Sequence, residues 1–333
     1  MKNTPQGTTL IRRWKTASLL AVLVVAVTCA AGLWRWRWNS IKDNCAAGWK
    51  IRIVYQKLAG HLPYIGWPDV WRQVLEPCYE ELNPSPQQRV HHLDDKLING
   101  RKCELDQTAL GKFWVPAPGA GLLAFLLWEI TVQVEYESRE VVIRPGDTVI
   151  DCGAHVGVFS RYVLQRGARR VVAIEPAPTN LACLRANLAP EIADGRVTVV
   201  PAGVWDKKTR LTLFEASEDN SGGDSFVNKD QPTTAKVEGL LVLPLDEIVE
   251  QLHLDRVDFI KMDIEGAERF ALRGASQTIG RFKPRMAICA YHLPDDANVI
   301  PTIVWKDQPT YQIHAKDIYI MAGRVNTKVL FFH

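Results

Sequence analysis

Short apolar runs alternate with segments of helical periodicity from about residue 128 to the end of the chain. Five of these runs predict buried strands, at residues 149–151, 170–175, 196–201, 257–263 and 285–291. Helices are predicted between them at residues 158–165 and from Pro178 onward, where proline suits a first helical turn. Strands that alternate with helices in this way indicate an α/β fold with a doubly wound, mostly parallel sheet.

Two further patterns predict strands outside these five. Apolar Val132, Val134 and Tyr136 alternate with polar residues, which is typical of an amphipathic strand. The run at residues 328–332 predicts an edge strand that returns to the sheet near the end of the chain.

The first 125 residues follow a different pattern. Residues 17–34 carry no formal charge over 18 positions, and as a helix they would be ~27 Å long, just enough to cross a hydrocarbon core of about 30 Å. We predict a transmembrane helix or signal anchor there, after a basic tail at 1–16; a cleaved signal peptide is the alternative. Prolines interrupt residues 35–125, a poorly defined juxtamembrane extension, before the regular domain at 126–333.

Composition excludes several other classes of protein. The formal net charge is only +3, which does not indicate a broad field for binding nucleic acid. Seven cysteines are scattered without any Cys-x-x-Cys pair, so neither a disulfide framework nor a zinc site is expected.

A glycine-rich turn follows the first predicted strand and reads Asp151-x-Gly153-x-x-x-Gly157. It differs from the Gly-x-Gly-x-x-Gly pattern that binds the pyrophosphate of a dinucleotide. Asp151 can accept a hydrogen bond from a ligand ammonium, and the helix that follows aims its amides at a carboxylate. Glu175, at the tip of the second strand, suits the two hydroxyls of a ribose. The pattern favours a cofactor with a ribose and a carboxylate but no phosphate, such as S-adenosylmethionine.

A second group of polar residues lies at the end of the fourth predicted strand. Lys261, Asp263 and Glu265 have the same parity, so a strand projects them to one side. Acids at this edge can orient a substrate hydroxyl, take its proton or hold a divalent ion. His292 follows the fifth strand and is a candidate general base. We predict Asp263, Glu265 and His292 as catalytic residues and assign no metal ligand.

Two neighbouring segments receive other interpretations. Glu268 is interpreted as a solvated acid at a helix start, stabilised by the helix dipole. Residues 221–225 predict a flexible loop that closes over the substrate.

These motifs together resemble the FkbM family of class I, S-adenosylmethionine-dependent methyltransferases. The resemblance covers residues 135–333 and is carried by 149–157, 174–176, 260–268 with 272–274, and 291–292. It implies a Rossmann-like sheet with a reversed final strand, and methyl transfer to a hydroxyl oxygen of a sugar, glycan precursor or other small metabolite. The residues that it implies as cofactor contacts are Asp151, Gly153, Gly157 and Glu175, and we predict their neighbours Ala154, His155 and Pro176 as cofactor-binding as well. His155 departs from the asparagine that is usual in this loop.

Two other functions share part of this pattern. A nicotinamide-dependent oxidoreductase has the same strand-and-acid layout, but the middle glycine of its fingerprint is missing here. A membrane-tethered, non-catalytic cofactor-binding module is the second alternative. We expect a small-molecule or glycan acceptor and no nucleic acid. The cofactor is cytosolic, so a single-pass membrane protein should carry its catalytic domain on the cytosolic side.

Overall fold

The structure is a computed structural model that describes residues 47–75, 90–216, 220–227, 235–321 and 324–333. The helices of these residues are α1 (Ala47–Leu58), α2 (Trp67–Leu75), α3 (Ala120–Thr131), α4 (Val158–Gln165), α5 (Pro178–Asn187), α6 (Ala189–Ala193), α7 (Leu245–Gln251), α8 (Glu268–Arg273), α9 (Ser276–Phe282) and α10 (Asp296–Asp307). The strands are β1 (His91–Ile98), β2 (Arg101–Thr108), β3 (Gly111–Pro116), β4 (Thr148–Cys152), β5 (Arg170–Ile174), β6 (Val197–Val200), β7 (Gly203–Val204), β8 (Thr209–Glu215), β9 (Ala235–Leu243), β10 (Phe259–Met262), β11 (Arg285–Cys289), β12 (Ile313–Met321) and β13 (Arg324–Phe332).

Contacts divide the chain into two units, Met1–Tyr55 and Gln56–His333. The predicted membrane segment at 17–34 lies outside the described residues, and none of the described helices is long and apolar enough to span a bilayer. The second unit begins well before residue 126, where the sequence placed the start of the regular domain.

A seven-stranded sheet forms the centre of the described fold, in the order β12-β13-β11-β10-β4-β5-β6. Strands β11, β10, β4, β5 and β6 pair in parallel, which confirms the predicted doubly wound, mostly parallel sheet. The reversed final strand is also confirmed, because β13 is antiparallel to β11. However, β13 is not the edge strand that the sequence predicted. Strand β12 pairs with its outer side and forms the edge instead.

The strand order reverses at β4, which lies between β5 and β10. All five residues of β4 are buried, and Ile150 pairs with Val172 on one side and Ile260 on the other. Chains that leave β4 and its neighbours diverge to opposite faces of the sheet, so a crevice opens beyond their carboxyl ends. This position holds the candidate site.

The residues before the sheet are more ordered than the sequence predicted. Strands β1, β2 and β3 form an antiparallel sheet, and Phe113 of β3 is buried in one core with Cys183 and Leu184 of α5. The amide of Asn187 fastens this contact, since it donates to Trp114 O at 2.9 Å and accepts from Trp114 N at 2.6 Å. Most of β1 is polar and exposed, which explains why the sequence contains no apolar pattern that predicts this strand.

The prediction of an amphipathic strand around residues 132–136 is wrong. Helix α3 runs to Thr131 and a series of turns follows, with Val134 at a φ of +51°. The acids of this segment point inward, and Glu135 lies 2.7 Å from Lys328 Nζ. The alternation of apolar and polar residues therefore arises from acids that are buried and charge-paired in a turn, and not from the solvent-exposed face of a sheet.

Candidate active site

A crevice opens beyond the carboxyl ends of β4, β5 and β10, with about 530 Å³ of empty space that includes solvent at its mouth. Its lining residues come from the loops after these strands and from the segment 202–226: Gly153, His155, Ile174, Glu175, Pro176, Asn180, Ala202, Gly203, Val204, Ser221, Gly222, Asp224, Phe226, Asp263, Ile264, Glu265 and Ala267.

The glycine-rich turn after β4 brings two loops into close contact. Gly153 has a φ of +79°, and a Cβ at this position would lie 2.1 Å from Asp263 O. The N–H groups of Gly153 and Ala154 both donate to Ile174 O, and that of Gly157 donates to Ala154 O. These amides are engaged within the protein, so they are not the ones that would bind a ligand carboxylate. Of the three, Gly153 lines the crevice, whereas Ala154 and Gly157 do not.

Asp151 lies beneath this turn rather than in the crevice. Its side chain is fully buried; Ser160 donates to Oδ2 at 2.7 Å, and Lys261 Nζ is 3.3 Å from Oδ1. Lys261 also donates to Gly153 O at 2.8 Å. The predicted contact between Asp151 and a ligand ammonium is therefore corrected. The pair with Lys261 fastens β10 to the glycine-rich turn.

Glu175 and His155 form one side of the crevice. The Glu175 carboxylate accepts the N–H of His155 at Oε2 and that of Ala177 at Oε1, both at 2.8 Å. Burial raises the pKa of Glu175 to about 7, although the two N–H donors act in the opposite direction. Burial lowers the pKa of His155 to about 3, so its imidazole is neutral and lies 2.9 Å from Ser221 Oγ. Pro176 lines the same side.

Residues of the segment 220–227, where the sequence predicted a flexible closing loop, form a further wall of the crevice beside His155. Asn180 donates to Ser221 O at 2.9 Å, and Ala216 N donates to Asp224 Oδ1 at 2.9 Å. Burial raises the pKa of Asp224 to about 7. Neither Asn180 nor Asp224 was predicted as a site residue, since a polar side chain on a helix or in a glycine-rich loop does not by itself show where it points. Whether this wall moves when a ligand binds stays a prediction.

The structure brings the three predicted catalytic residues together at the end of β10. Asp263 Oδ2 accepts a hydrogen bond from the Tyr136 hydroxyl at 2.7 Å, and Tyr291 Oη is 3.5 Å from Oδ1. His292 Nε2 lies 3.6 Å from Asp263 Oδ1 and 3.5 Å from Glu265 Oε1. Glu265 has a φ of +54°, a conformation that costs an ordinary residue about 1–2 kcal/mol and often occurs at functional sites.

A fourth acid, Glu268, lies behind His292. It is fully buried rather than solvated as predicted, accepts the N–H groups of Ile264 and Gly266, and has Oε1 3.0 Å from His292 Nδ1. Burial alone would lower the pKa of His292, but Glu268 and Glu265 outweigh it and raise this pKa well above the ordinary value. Where no other cation is bound, these acids favour the protonated imidazole, which disfavours the predicted role of general base.

For Asp263 the effects of burial and of nearby charges on the pKa have the opposite signs. Burial alone would raise its pKa, but the positive charges of Lys261 and His292 lower it below the ordinary value. Asp263 lines the crevice, and these charges favour its ionised form there.

The reversed strand, the glycine-rich turn after β4 and the acids that follow β5 and β10 define a class I methyltransferase domain. Residues 151–311 match the family model of the methyltransferase FkbM domain. The domain belongs to this family, and S-adenosylmethionine is its cofactor.

Similar proteins include other methyltransferases. The 31-O-demethyl-FK506 methyltransferase FkbM of Streptomyces tacrolimicus is 29% identical over 180 residues, which cover 46% of this chain and 69% of that protein. Methyltransferase 1 of Beauveria bassiana (strain ARSEF 2860) is 25% identical, over 43% of this chain and 68% of that protein. The solved structure of methyltransferase FkbM from Methylobacillus flagellatus KT is 25% identical with a TM-score of 0.43, and the match covers 66% of this chain and 56% of that one.

The chemistry of the crevice fits this cofactor. Four acidic side chains line it, Glu175, Asp224, Asp263 and Glu265, and no lysine or arginine is among its described lining residues. That lining suits a ligand with a sulfonium and an ammonium group and disfavours a pyrophosphate. Glu175 would hold the ribose hydroxyls, because each of its oxygens keeps a lone pair after accepting one backbone N–H.

Proposed function

We propose that this protein transfers a methyl group from S-adenosylmethionine to a hydroxyl oxygen of a small-molecule or glycan acceptor. The observation that carries the proposal is the Asp263 carboxyl group, which lines the same crevice as Glu175 and accepts a hydrogen bond from the Tyr136 hydroxyl at 2.7 Å.

S-Adenosylmethionine supplies an activated methyl group on its sulfonium, so the protein has mainly to position the acceptor and remove a proton. The acceptor oxygen forms a bond to the methyl carbon while the carbon–sulfur bond breaks and its electron pair stays on sulfur. The hydroxyl proton passes to the Asp263 carboxylate. Tyr136 fixes the orientation of that carboxylate, and Lys261 and His292 keep it ionised.

Two further considerations support an oxygen acceptor. A carboxylate is a suitable base for a hydroxyl, and the Asn-Pro-Pro-Tyr type of motif that is typical of amine methylation does not occur in the sequence. The name of the relative from Streptomyces tacrolimicus describes its substrate as 31-O-demethyl-FK506. A glycan precursor at a membrane is favoured only by the predicted segment at 17–34, and the location of the protein stays a prediction.

The proposal is tested by incubating the full chain with methyl-labelled cofactor and fractionated small metabolites and glycan precursors. We expect label in a product that survives mild base, as an ether does and a methyl ester does not. Asp263→Asn should lower turnover by roughly 100-fold, within the range of general-base catalysis, and change cofactor affinity much less than turnover. Asp255→Asn, the same change at an exposed position, is the matched control. Base-labile or nitrogen-linked label would contradict the proposal.

A further inference from the structure

The side chains of Asp263, Glu265 and His292 converge on one point at the crevice. One carboxylate oxygen from each acid and a ring nitrogen of His292 all lie within 4.8 Å of one another. Nε2 is 3.5 Å from Glu265 Oε1 and 3.6 Å from Asp263 Oδ1, which is longer than an ordinary hydrogen bond. Two ligands bound at about 2.1 Å to one ion and at roughly 90–110° to each other are about 3.0–3.4 Å apart. The spacing is thus close to that of ligands around a shared cation.

His292 provides a second, independent observation. Its side chain is only 6% exposed, yet Nε2 has no hydrogen-bond partner and points at the two carboxylates. The other ring nitrogen lies 3.0 Å from Glu268 Oε1, within hydrogen-bond distance, although the ring orientation in the structure gives neither nitrogen a hydrogen bond. A carboxylate behind the ring is the usual arrangement at a metal-binding histidine, because it fixes the ring orientation and strengthens the ligand.

The local charge also calls for a cation. Three acids meet at His292, namely Asp263, Glu265 and Glu268. Lys261, two residues before Asp263, is shared with a further acid, Asp151. Buried charges are stable only when they are paired or coordinate a metal.

We propose that Asp263, Glu265 and His292 Nε2 bind a divalent cation of the Mn²⁺ type, with Glu268 as a positioning residue. The role given to this cation in methyl transfer rests on the proposed function. Three protein ligands leave coordination positions open towards the crevice. An acceptor with two neighbouring oxygens, such as the vicinal diol of a sugar, can fill them, and the cation then lowers the pKa of the hydroxyl to be methylated.

The mixed ligand set suggests which ion to use as a probe. Carboxylates suit Mg²⁺ and Mn²⁺, whereas imidazole suits transition metals, so Mn²⁺ satisfies both kinds of ligand. Titration of Mn²⁺ into the metal-stripped full chain, followed by the loss of its free electron paramagnetic resonance signal, counts bound ions directly. We expect one bound ion. His292→Gln and Glu265→Gln should each weaken binding at least 10-fold, and Glu265 is the safer change because its side chain is 24% exposed.

A different cluster provides the discriminating control. Glu140, His314 and His333 form another group with metal-ligand spacing; His314 lies on β12, His333 follows β13, and none of the three lines the crevice. His314→Gln should leave the Mn²⁺ affinity of the crevice unchanged. Loss of binding in His314→Gln but not in Glu265→Gln would overturn the proposal. So would the absence of bound Mn²⁺ in the unaltered chain, which would assign the positive charge of the cluster to a proton on His292.

Failure of the cation site and failure of the proposed function give different results. Methyl transfer that proceeds equally fast in excess EDTA overturns the cation site and leaves the function intact. Stoichiometric Mn²⁺ binding in a chain that binds no S-adenosylmethionine refutes the function and leaves the ion site standing.

Discussion

Glu175 offers the sharpest test of how the crevice holds its cofactor. Glu175→Gln keeps the size of the side chain but removes its charge and replaces one of its two acceptor oxygens with a donor. A hydrogen bond to a charged group contributes about 1.5–3 kcal/mol. Loss of one such bond to a ribose hydroxyl should weaken cofactor binding by roughly 10- to 150-fold, at 1.4 kcal/mol per tenfold.

The same substitution affects the protein without cofactor. The amide can accept only one of the two N–H groups that the carboxylate accepts from His155 and Ala177. An unpaired buried donor costs about 1–3 kcal/mol, so the gain from removing a buried charge is partly offset. Calorimetry with S-adenosylmethionine and with S-adenosylhomocysteine measures the affinity, and denaturant unfolding measures the stability. Glu238→Gln, on the exposed part of β9, is the matched control. Wild-type affinity in a folded Glu175→Gln protein would refute the ribose contact.

The pH dependence provides a second measurement on the same residue. The ionised carboxylate is the better acceptor, so cofactor affinity should fall as the pH drops through about 7, the pKa of Glu175. The free energy of unfolding should depend on pH in the opposite direction. A pKa of about 7 rather than 4.5 means that the folded chain binds this proton more tightly than the unfolded chain, by about 3 kcal/mol. The free energy of unfolding should therefore decrease as the pH rises from about 4.5 to about 7. Both trends should be weaker in Glu175→Gln.

Three further predictions concern single residues or segments. Tyr136→Phe removes the 2.7 Å hydrogen bond to Asp263 and should lower turnover roughly tenfold without changing cofactor affinity, as steady-state kinetics and calorimetry can show. Gly153→Ala should destabilise the chain more than Gly146→Ala in urea unfolding, because both have a positive φ but only a Cβ at Gly153 meets another atom, 2.1 Å from Asp263 O. Equal losses would contradict that reasoning. Residues 17–34 are expected to keep the full chain in the membrane fraction after alkaline extraction, and a chain that starts at 41 should be released.

The parts of the site that the sequence could predict are those set by strand order. Acids that follow parallel strands meet at one edge of a sheet, so Glu175 and Asp263 could be assigned to one crevice from their positions alone. The meeting of Asp263, Glu265 and His292 follows from the same rule, because β10 and β11 are neighbours.

The parts that could not be predicted depend on partners that are distant in sequence. The position of Asp151 in the sequence is typical of a ligand contact, but its carboxylate pairs with Lys261 of the adjacent strand. The acids around Glu135 can be buried because Glu135 pairs with Lys328, which is 193 residues away in the sequence. Asp224 has no local pattern at all, and its burial depends on how the segment 220–227 packs against Asn180.

The distribution of charge explains why the crevice carries acids that reduce stability. Glu175 and Asp224 each have a pKa raised by burial to about 7, so holding both as carboxylates opposes folding near neutral pH. A cationic ligand reverses this balance, because it binds only the folded chain and favours the ionised forms. The anionic lining thus ties the stability of this part of the fold to occupancy by a positively charged cofactor. The same lining resists phosphate-bearing ligands, and this is the physical reason why a dinucleotide is a poor fit for an otherwise similar strand arrangement.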